Sequence, residues 1–167
     1  ASASAYDNAS SFPTEERCKV DPMSPYGLQK LIGEQYCRVF SRCYNLETVC
    51  LRYFNVFGEG QSLTGSYCPV IGLFRKQNLD NEPMTVVGDG EQIRDFIHVS
   101  DVARANILAM TSTKVGEGES INIGSGDNRS INQIADLFGG DKKYIANRLE
   151  PRISLSSIDK AKRLLDW

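Results

Sequence analysis

The sequence predicts an α/β fold built on parallel strands. Segments rich in β-branched and aromatic residues alternate along the chain with segments of helical periodicity, and this alternation favours parallel strands joined by helical crossovers. With 167 residues and a hydrophobic share of 41%, the chain can bury the core of one domain or parts of two. Parallel sheets bind ligands at the carboxyl ends of their strands, so we expect a site in the loops that follow Val56, Val87 and Gly124.

The helices are predicted from apolar residues that recur at steps of three and four. The longest runs from Ser24 to Tyr44, because Ser24-Pro25 is typical of a helix start and Asn45 of a helix end. The other predicted helices are Tyr67–Leu79, Asp101–Thr111, Ser130–Leu137 and Ser157–Leu165. Strands are predicted where β-branched and aromatic residues cluster between turns, at Glu47–Val56, Met84–Val87, Ile93–Val99 and Ser120–Gly124.

Charge and composition exclude several classes of protein. The 19 Lys and Arg residues nearly balance the 21 Asp and Glu residues, so the chain lacks the basic surplus of a nucleic-acid-binding protein. No apolar stretch reaches the ~18 residues that span a membrane, and no basic segment followed by an apolar run indicates a signal peptide. Because the first residue is Ala rather than Met, we expect a fragment or a processed product.

The cysteines indicate a reducing compartment and no metal site. They number five, an odd count, and no C-x-x-C pair occurs among them. His98 is the sole histidine, so a zinc site would need most of the thiols at unusual spacings. We therefore predict free thiols in a cytoplasmic protein and no bound metal.

Tyr26 and Lys30 form a Y-x-x-x-K pair on the first predicted helix. Residues four apart lie on one face of a helix, so the ammonium group can favour the phenolate form of the tyrosine. Such a pair makes a base for a substrate hydroxyl. A Tyr and a Lys at this spacing are common on helices, however, and the pair gains meaning only from the motifs around it.

Three further motifs accompany the pair in a fixed order. They are the S-A-S-A-Y stretch at 2–6, the R-Y-F-N stretch at 52–55 and the G-D-G-E-Q-I-R-D stretch at 88–95. Together with Tyr26 and Lys30 the series resembles the extended short-chain dehydrogenase/reductases. The resemblance is closest to the NAD-dependent sugar-nucleotide epimerases, UDP-hexose 4-epimerases above all, and extends over nearly the whole chain.

The resemblance implies catalytic and cofactor-binding roles for four residues. Tyr26 matches the catalytic tyrosine, and Lys30 matches the lysine that binds the nicotinamide ribose and polarises that tyrosine. Ser2, four residues before Tyr6, matches the Ser or Thr that hydrogen-bonds the reacting hydroxyl. Tyr53 of the R-Y-F-N motif is assigned to the NAD site as well. The implied cofactor is NAD.

Five more residues are implied to bind the UDP-sugar substrate. They are Asn55 and Arg94 at the diphosphate, Val86 near the uracil and ribose, Arg148 as a second phosphate ligand, and Ser154 at the wall of the sugar pocket. The family writes R-P-G-E or R-P-G-D where this chain has R-L-E at 148–150, so the role of Arg148 requires a local loop adjustment. Arg94 could instead pair with Asp95 or Asp101.

The resemblance also implies a division of the chain. Residues 1–57 match the C-terminal part of an NAD-binding Rossmann domain, a doubly wound parallel sheet, and carry the Tyr and Lys. Residues 58–167 match mostly the small mixed α/β domain that binds the UDP-sugar, with 93–125 returning to the Rossmann sheet. The family's G-x-x-G-x-x-G turn does not occur here. The Ser24–Tyr44 helix would pair two copies of the full-length protein in a homodimer.

Other functions within and outside this family remain open. One group comprises UDP-glucuronate epimerases, UDP-glucuronate decarboxylases and 4,6-dehydratases. Dehydratases place Asp-Glu directly after the Ser or Thr, and decarboxylases carry a carboxylate near that position, whereas this chain has Ala3-Ser4. A catalytically silent relative that only binds nucleotide is the remaining alternative, and the intact Ser2, Tyr26 and Lys30 argue against it.

Overall fold

The computed structural model describes residues 1–6, 9–63 and 68–167. The helices are α1 (Pro25–Tyr44), α2 (Val70–Leu79), α3 (Val99–Thr111), α4 (Ile131–Phe138) and α5 (Asp159–Leu165), after a 3-10 turn at Ala3–Ala5. The strands are β1 (Thr48–Tyr53), β2 (Asn55–Phe57), β3 (Met84–Val87), β4 (Ile93–Arg94), β5 (Phe96–His98), β6 (Glu117–Ile123), β7 (Arg129–Ser130), β8 (Lys142–Ile145) and β9 (Ile153–Ser154). The mixed α/β class with parallel strands is confirmed.

Strands β1 and β6 pair in parallel and carry helices on both faces. Leu51 pairs with Ile121, and both side chains join a core formed with α3 and α5. The next residues along each strand, Arg52 and Asn122, point to the opposite face, where α1 packs. One face of this two-stranded sheet is therefore apolar and the other is polar.

A second core lies between α2, α4 and β3. Phe74, Met84 and Val86 are almost completely buried in it, together with Ile131 and Ala135. Strand β3 pairs in parallel with β8, which starts with Lys142-Lys143 and lacked a strand signal in the sequence. Strand β4 lies between β7 and β9 in a mixed three-stranded sheet.

Two strands that the sequence predicted as continuous are each broken by one residue. The run at Glu47–Val56 divides at Phe54, so that β1 pairs with β6 whereas β2 pairs with β5. The run at Ile93–Val99 divides at Asp95, whose buried carboxylate accepts backbone hydrogen bonds at 2.7 Å from Ser125 and 3.0 Å from Ser156. These breaks redirect the chain from one sheet to another, and the predicted site lies at this junction.

The helix predictions are largely confirmed. Helix α1 begins at Pro25, and the Ser24 side chain accepts from the Gly27 amide at 3.1 Å, as the Ser-Pro signal indicated. Tyr67, where the next predicted helix starts, lies outside the described residues, and α2 begins at Val70. Within the described ranges no helix is both long and apolar enough to cross a bilayer.

Candidate active site

Helix α1 carries Tyr26 and Lys30 on one face, as the i, i+4 spacing requires. The Lys30 Nζ lies 5.2 Å from the centroid of the Tyr26 ring, so a positive charge lies beside the phenol. The Tyr26 side chain is half exposed and lines a cavity of about 570 Å³, which is called the main cavity below. The two side chains are therefore in contact, with the ammonium group of the lysine over the ring of the tyrosine.

Gly27 brings α1 into close contact with the turn at Ala3–Ala5. A Cβ atom at residue 27 would lie 2.5 Å from the Ser4 carbonyl oxygen, which is closer than any side chain allows. Only glycine therefore lets the helix approach the segment that carries Ser2. Gly27 follows Tyr26 directly but has no local signal in the sequence, because the need for glycine arises from a contact with a residue 23 positions earlier.

Ser2 is buried at the start of that turn. Its Oγ accepts a hydrogen bond from the Ser4 amide at 3.2 Å and lies 3.1 Å from the Ser4 Oγ. Its backbone forms a parallel bridge with Tyr53 at the end of β1. Ser2, Tyr53 and Tyr26 thus meet at the carboxyl end of the parallel strands.

Most of the predicted site residues line one cavity of about 570 Å³. The predicted residues in its wall are Ser2, Tyr26, Tyr53, Asn55, Arg94 and Arg148. A smaller cavity of about 250 Å³ shares Ser2, Tyr53, Asn55 and Arg94 with the first and adds Ser154. Ser154 lies beside Arg94 because their strands pair in register. Seven of the predicted residues are therefore brought together.

Lys30 and Val86 lie elsewhere. Lys30 lines a third cavity of about 930 Å³ between α1, β1 and α3, which shares Tyr53 with the other two. Val86 is fully buried in the second core, and its neighbours Thr85 and Val87 line the main cavity instead. Val86 therefore does not line the cavity as the prediction required, whereas Val87 does, because successive residues of a strand point to opposite faces.

Arg94 is buried in the cavity wall and forms an ion pair with Glu150. Its NH2 group lies 3.0 Å from the Glu150 Oε2, and its NH1 group donates to the Ile93 carbonyl at 2.9 Å. Burial lowers the pKa of the Arg94 guanidinium, and the Glu150 charge opposes this effect. The ion pair is thus with Glu150, not with Asp95 or Asp101 as the alternative interpretation proposed.

Arg148 approaches the same carboxylate. Its NH2 group lies 3.5 Å from the Glu150 Oε2, although 70% of its side chain is exposed. Two guanidinium groups and one carboxylate leave a net positive charge at this wall, which suits an anionic ligand. Despite the shortened motif, Arg148 therefore lies next to Arg94. Glu150 itself was not predicted.

Asn55 holds the junction between the sheets. Its Nδ2 group donates to the Asp95 carbonyl at 2.9 Å, and its backbone amide donates to the same oxygen at 3.0 Å. Asn55 thereby keeps β2 beside β5 and presents its side chain at the cavity wall.

Within the described residues no group of three His, Cys, Asp or Glu side chains could hold a metal ion.

Comparison with known proteins identifies a matching family and relatives of similar sequence. The model of the NAD dependent epimerase/dehydratase family matches residues 1–124. The UDP-glucuronate 4-epimerase of Thermodesulfobacterium geofontis is 33% identical over 178 aligned residues, which cover 100% of this chain and 52% of that protein.

Two solved structures have the same fold. The Thermotoga maritima UDP-glucose 4-epimerase with UDP-glucose matches with a TM-score of 0.93 at 36% identity, over 100% of this chain and 56% of that one. The UDP-N-acetylglucosamine 4-epimerase of Methanobrevibacter ruminantium, in complex with UDP-N-acetylmuramic acid, matches with a TM-score of 0.91 at 36% identity, over 97% of this chain and 54% of that one. The chain spans about half the length of these relatives.

Proposed function

Because this chain belongs to the NAD dependent epimerase/dehydratase family, we propose that it is the C-terminal part of an NAD-dependent UDP-hexose 4-epimerase. The observation that carries the proposal is the shared cavity wall. A serine and a tyrosine suited to proton transfer lie on the same wall as two arginines suited to a diphosphate, Arg94 and Arg148. In a sugar linked to a nucleoside diphosphate, a sugar hydroxyl would contact the serine and the tyrosine while the diphosphate contacts the two arginines.

The residues around Lys30 fit the proposed cofactor. The cavity of about 930 Å³ that Lys30 and Tyr53 line is large enough for part of a dinucleotide and adjoins the Tyr26 helix. An ammonium group and a phenol can hydrogen-bond ribose hydroxyls. When bound, NAD supplies the acceptor and donor for the hydride at C4 of the sugar.

In the proposed mechanism the chain's own residues bind, orient and move a proton. The Tyr26 phenolate accepts the proton of the sugar 4-hydroxyl, and the Ser2 hydroxyl hydrogen-bonds the same oxygen. Arg94 and Arg148 hold the diphosphate while the 4-keto sugar turns about its link to it. Tyr26 then returns the proton to the oxygen after the opposite face of C4 has been reduced.

We further propose that both hexoses and their 2-acetamido forms are substrates: UDP-glucose, UDP-galactose, UDP-N-acetylglucosamine and UDP-N-acetylgalactosamine. Support comes from Ser154, a small residue in the wall of the smaller cavity beside Ser2 and Arg94. A larger side chain there would take up the space of an acetamido group.

The outer face of α1 suggests that the complete protein pairs with a second copy. Half-exposed apolar residues follow each other along the helix at Leu28, Ile32, Tyr36, Val39 and Phe40. The same helix face can pack against its own symmetry mate across a two-fold axis. In light scattering, the complete protein should have the mass of a dimer, and Tyr36→Glu should give a monomer.

The test of the activity uses the complete protein. We expect the NAD-loaded enzyme to convert UDP-galactose to UDP-glucose and to interconvert UDP-N-acetylglucosamine and UDP-N-acetylgalactosamine. NMR of the reaction mixture measures both conversions. Conversion of UDP-glucuronate alone would indicate a UDP-glucuronate epimerase or decarboxylase instead. Release of a 4-keto-6-deoxy sugar would indicate a 4,6-dehydratase. Bound nucleotide without any turnover would indicate a silent relative.

Residues 1–167 alone provide a second test. They contain no G-x-x-G-x-x-G turn for the cofactor pyrophosphate, so we expect neither tight NAD binding nor turnover. Calorimetry that measured micromolar NAD binding to this segment would contradict the proposed division of the enzyme.

A further inference from the structure

Gln92 is a buried amide in the wall of the main cavity. Its Nε2 group donates to the Val87 carbonyl at 3.1 Å and to the Glu150 Oε1 at 3.3 Å. Both N–H bonds of the amide are therefore used, one at the last residue of β3 and one in the loop before β9. Gln92 thus joins two parts of the cavity wall that lie 63 residues apart, from Val87 to Glu150.

Glu150 is held at both of its oxygens. Oε1 accepts from Gln92, whereas Oε2 lies 3.0 Å from Arg94 and 3.5 Å from Arg148. The terminal torsion of a glutamate is broad, so a carboxylate held from one side only can rotate. The bond from Gln92 restricts that rotation, and Oε2 stays directed at the two guanidinium groups.

Arg94 depends on this carboxylate for its orientation. It is buried, and within the part of the chain that the structure describes its guanidinium donates only to Glu150 and to the Ile93 carbonyl. A rotated Glu150 would leave the buried charge poorly paired, and Arg94 would then move toward other acceptors. The donors that should face a diphosphate would no longer be in place.

We infer that Gln92 is a positioning residue for the nucleotide diphosphate, acting through Glu150 on Arg94 and Arg148. The inference rests on the proposed function for the identity of the ligand. Gln92 itself makes no contact with the reacting atoms in this arrangement. It sets the affinity for the nucleotide rather than the rate of the chemical step.

The test is a double-mutant cycle in the complete protein, with UDP-glucose affinity measured by calorimetry. Gln92→Met keeps the length of the side chain and removes both donors, and we expect affinity to fall about tenfold, within the usual coupling between contacting residues. In a Glu150→Ala background the same change should alter affinity less than twofold. In the otherwise wild-type enzyme, KM should rise with the dissociation constant while kcat stays within twofold.

A matched control is Gln77→Met. Gln77 is also buried, and its amide bonds to Thr85 at 2.7 Å, but it does not line the cavity. We expect this variant to lower the melting temperature and to leave UDP-glucose affinity unchanged. If Gln92→Met does not fold, Gln92→Leu provides the same comparison.

The outcomes separate the two proposals. Equal losses of affinity from Gln92→Met with and without Glu150 would overturn the positioning role, as would unchanged affinity or a fall in kcat alone. A wild-type protein that binds UDP-glucose but gives additive losses would leave the proposed function intact. A wild-type protein that binds no UDP-glucose would overturn the proposed function and this inference together.

Discussion

Arg52 on β1 and Glu34 on α1 form a bidentate ion pair that is almost wholly buried. Their two contacts measure 2.8 Å and 2.6 Å, and the exposed fractions of the side chains are 2% and 0%. The Tyr6 hydroxyl accepts from Arg52 at 2.5 Å and donates to Asn122 at 2.9 Å, while Ser120 donates to Glu34 at 2.9 Å. One network therefore ties helix, sheet and N-terminal segment together.

This network connects the helix that carries Tyr26 to the N-terminal segment that carries Ser2. Glu34 lies on the same helix as Tyr26, about two turns further along, and Tyr6 lies four residues after Ser2. Among the described residues no buried side-chain nitrogen or oxygen lacks a hydrogen-bond partner, so the network is saturated. Its geometry sets the position of the Tyr26 helix relative to the Ser2 turn.

Glu34→Ala should destabilise the complete protein strongly. The change leaves the Arg52 charge buried without its partner, and breaking a buried pair in this way costs about 3–5 kcal/mol. Urea unfolding measures the effect. The control is Asp80→Ala, which removes the exposed i, i+4 pair with Lys76 and should cost no more than about 0.5 kcal/mol. Similar small losses for both variants would contradict the argument.

Stability should fall between pH 10 and pH 12 because of Tyr6. Burial raises the pKa of Tyr6 from 10.0 to about 12 in the folded state. The folded state therefore holds this proton more tightly than the unfolded state. The raised pKa therefore contributes about 2–3 kcal/mol to the free energy of unfolding. This contribution is complete below pH 10 and is lost as the pH rises through 12.

Urea unfolding at pH 9 and pH 11.5 measures the Tyr6 effect, with Tyr6→Phe as the comparison. This variant loses the hydroxyl that bonds Arg52 and Asn122, so it should be less stable at pH 9 and should show a smaller fall with pH. An equal fall in both proteins would assign the pH dependence to other tyrosines.

Some elements could be predicted from sequence because their signals are local. The start of α1 follows from Ser24-Pro25, and α4 begins with a capping box between Ser130 and Gln133. The breaks at Phe54 and Asp95 had no such signal. They depend on which strand each half pairs with, and the buried Asp95 carboxylate bonds to residues about 30 and 61 positions away.

In the candidate site, too, local relationships could be predicted from the sequence and long-range contacts could not. Tyr26 and Lys30 share a helix face, so their spacing alone placed them together. The sequence did not reveal that Val86 faces the core whereas Val87 lines the cavity, because a shift of one residue exchanges the two faces of a strand. Glu150 has no local motif that reveals its pairing with Arg94, a residue 56 positions earlier.

Tyr26→Phe should lower the turnover of the complete enzyme at least ~100-fold, the scale of general acid–base catalysis. Its affinity for UDP-glucose should change little, since the phenol contributes the proton acceptor and not the diphosphate site. Lys30→Met should lower both turnover and NAD affinity. Steady-state kinetics and NAD titration measure these effects, and a Tyr26→Phe enzyme within tenfold of wild type would remove Tyr26 from the mechanism.

The two arginines should differ in their contribution to nucleotide binding. Arg94→Ala should weaken UDP and UDP-glucose binding alike, by ~1.5–3 kcal/mol for a lost charged hydrogen bond. Arg148 is far more exposed, so Arg148→Ala should cost about 1 kcal/mol or less. Calorimetry with both ligands makes the comparison. Loss of UDP-glucose binding with unchanged UDP binding would assign Arg94 to the sugar instead.

Ser154→Tyr should restrict the sugar. Ser154 lines the cavity of about 250 Å³ beside Ser2, and its strand neighbour is Arg94, for which we propose diphosphate binding. A tyrosine would fill the space for a 2-acetamido group and leave room for a 2-hydroxyl. We therefore expect the variant to lose UDP-N-acetylgalactosamine epimerisation and keep UDP-galactose epimerisation. Wild type should accept both, because an unfilled pocket loses only ~1–3 kcal/mol of contact. Parallel assays of kcat/KM with the two substrates test this, and an equal fall in both activities, or no change in either, would move the wall of the sugar pocket away from Ser154.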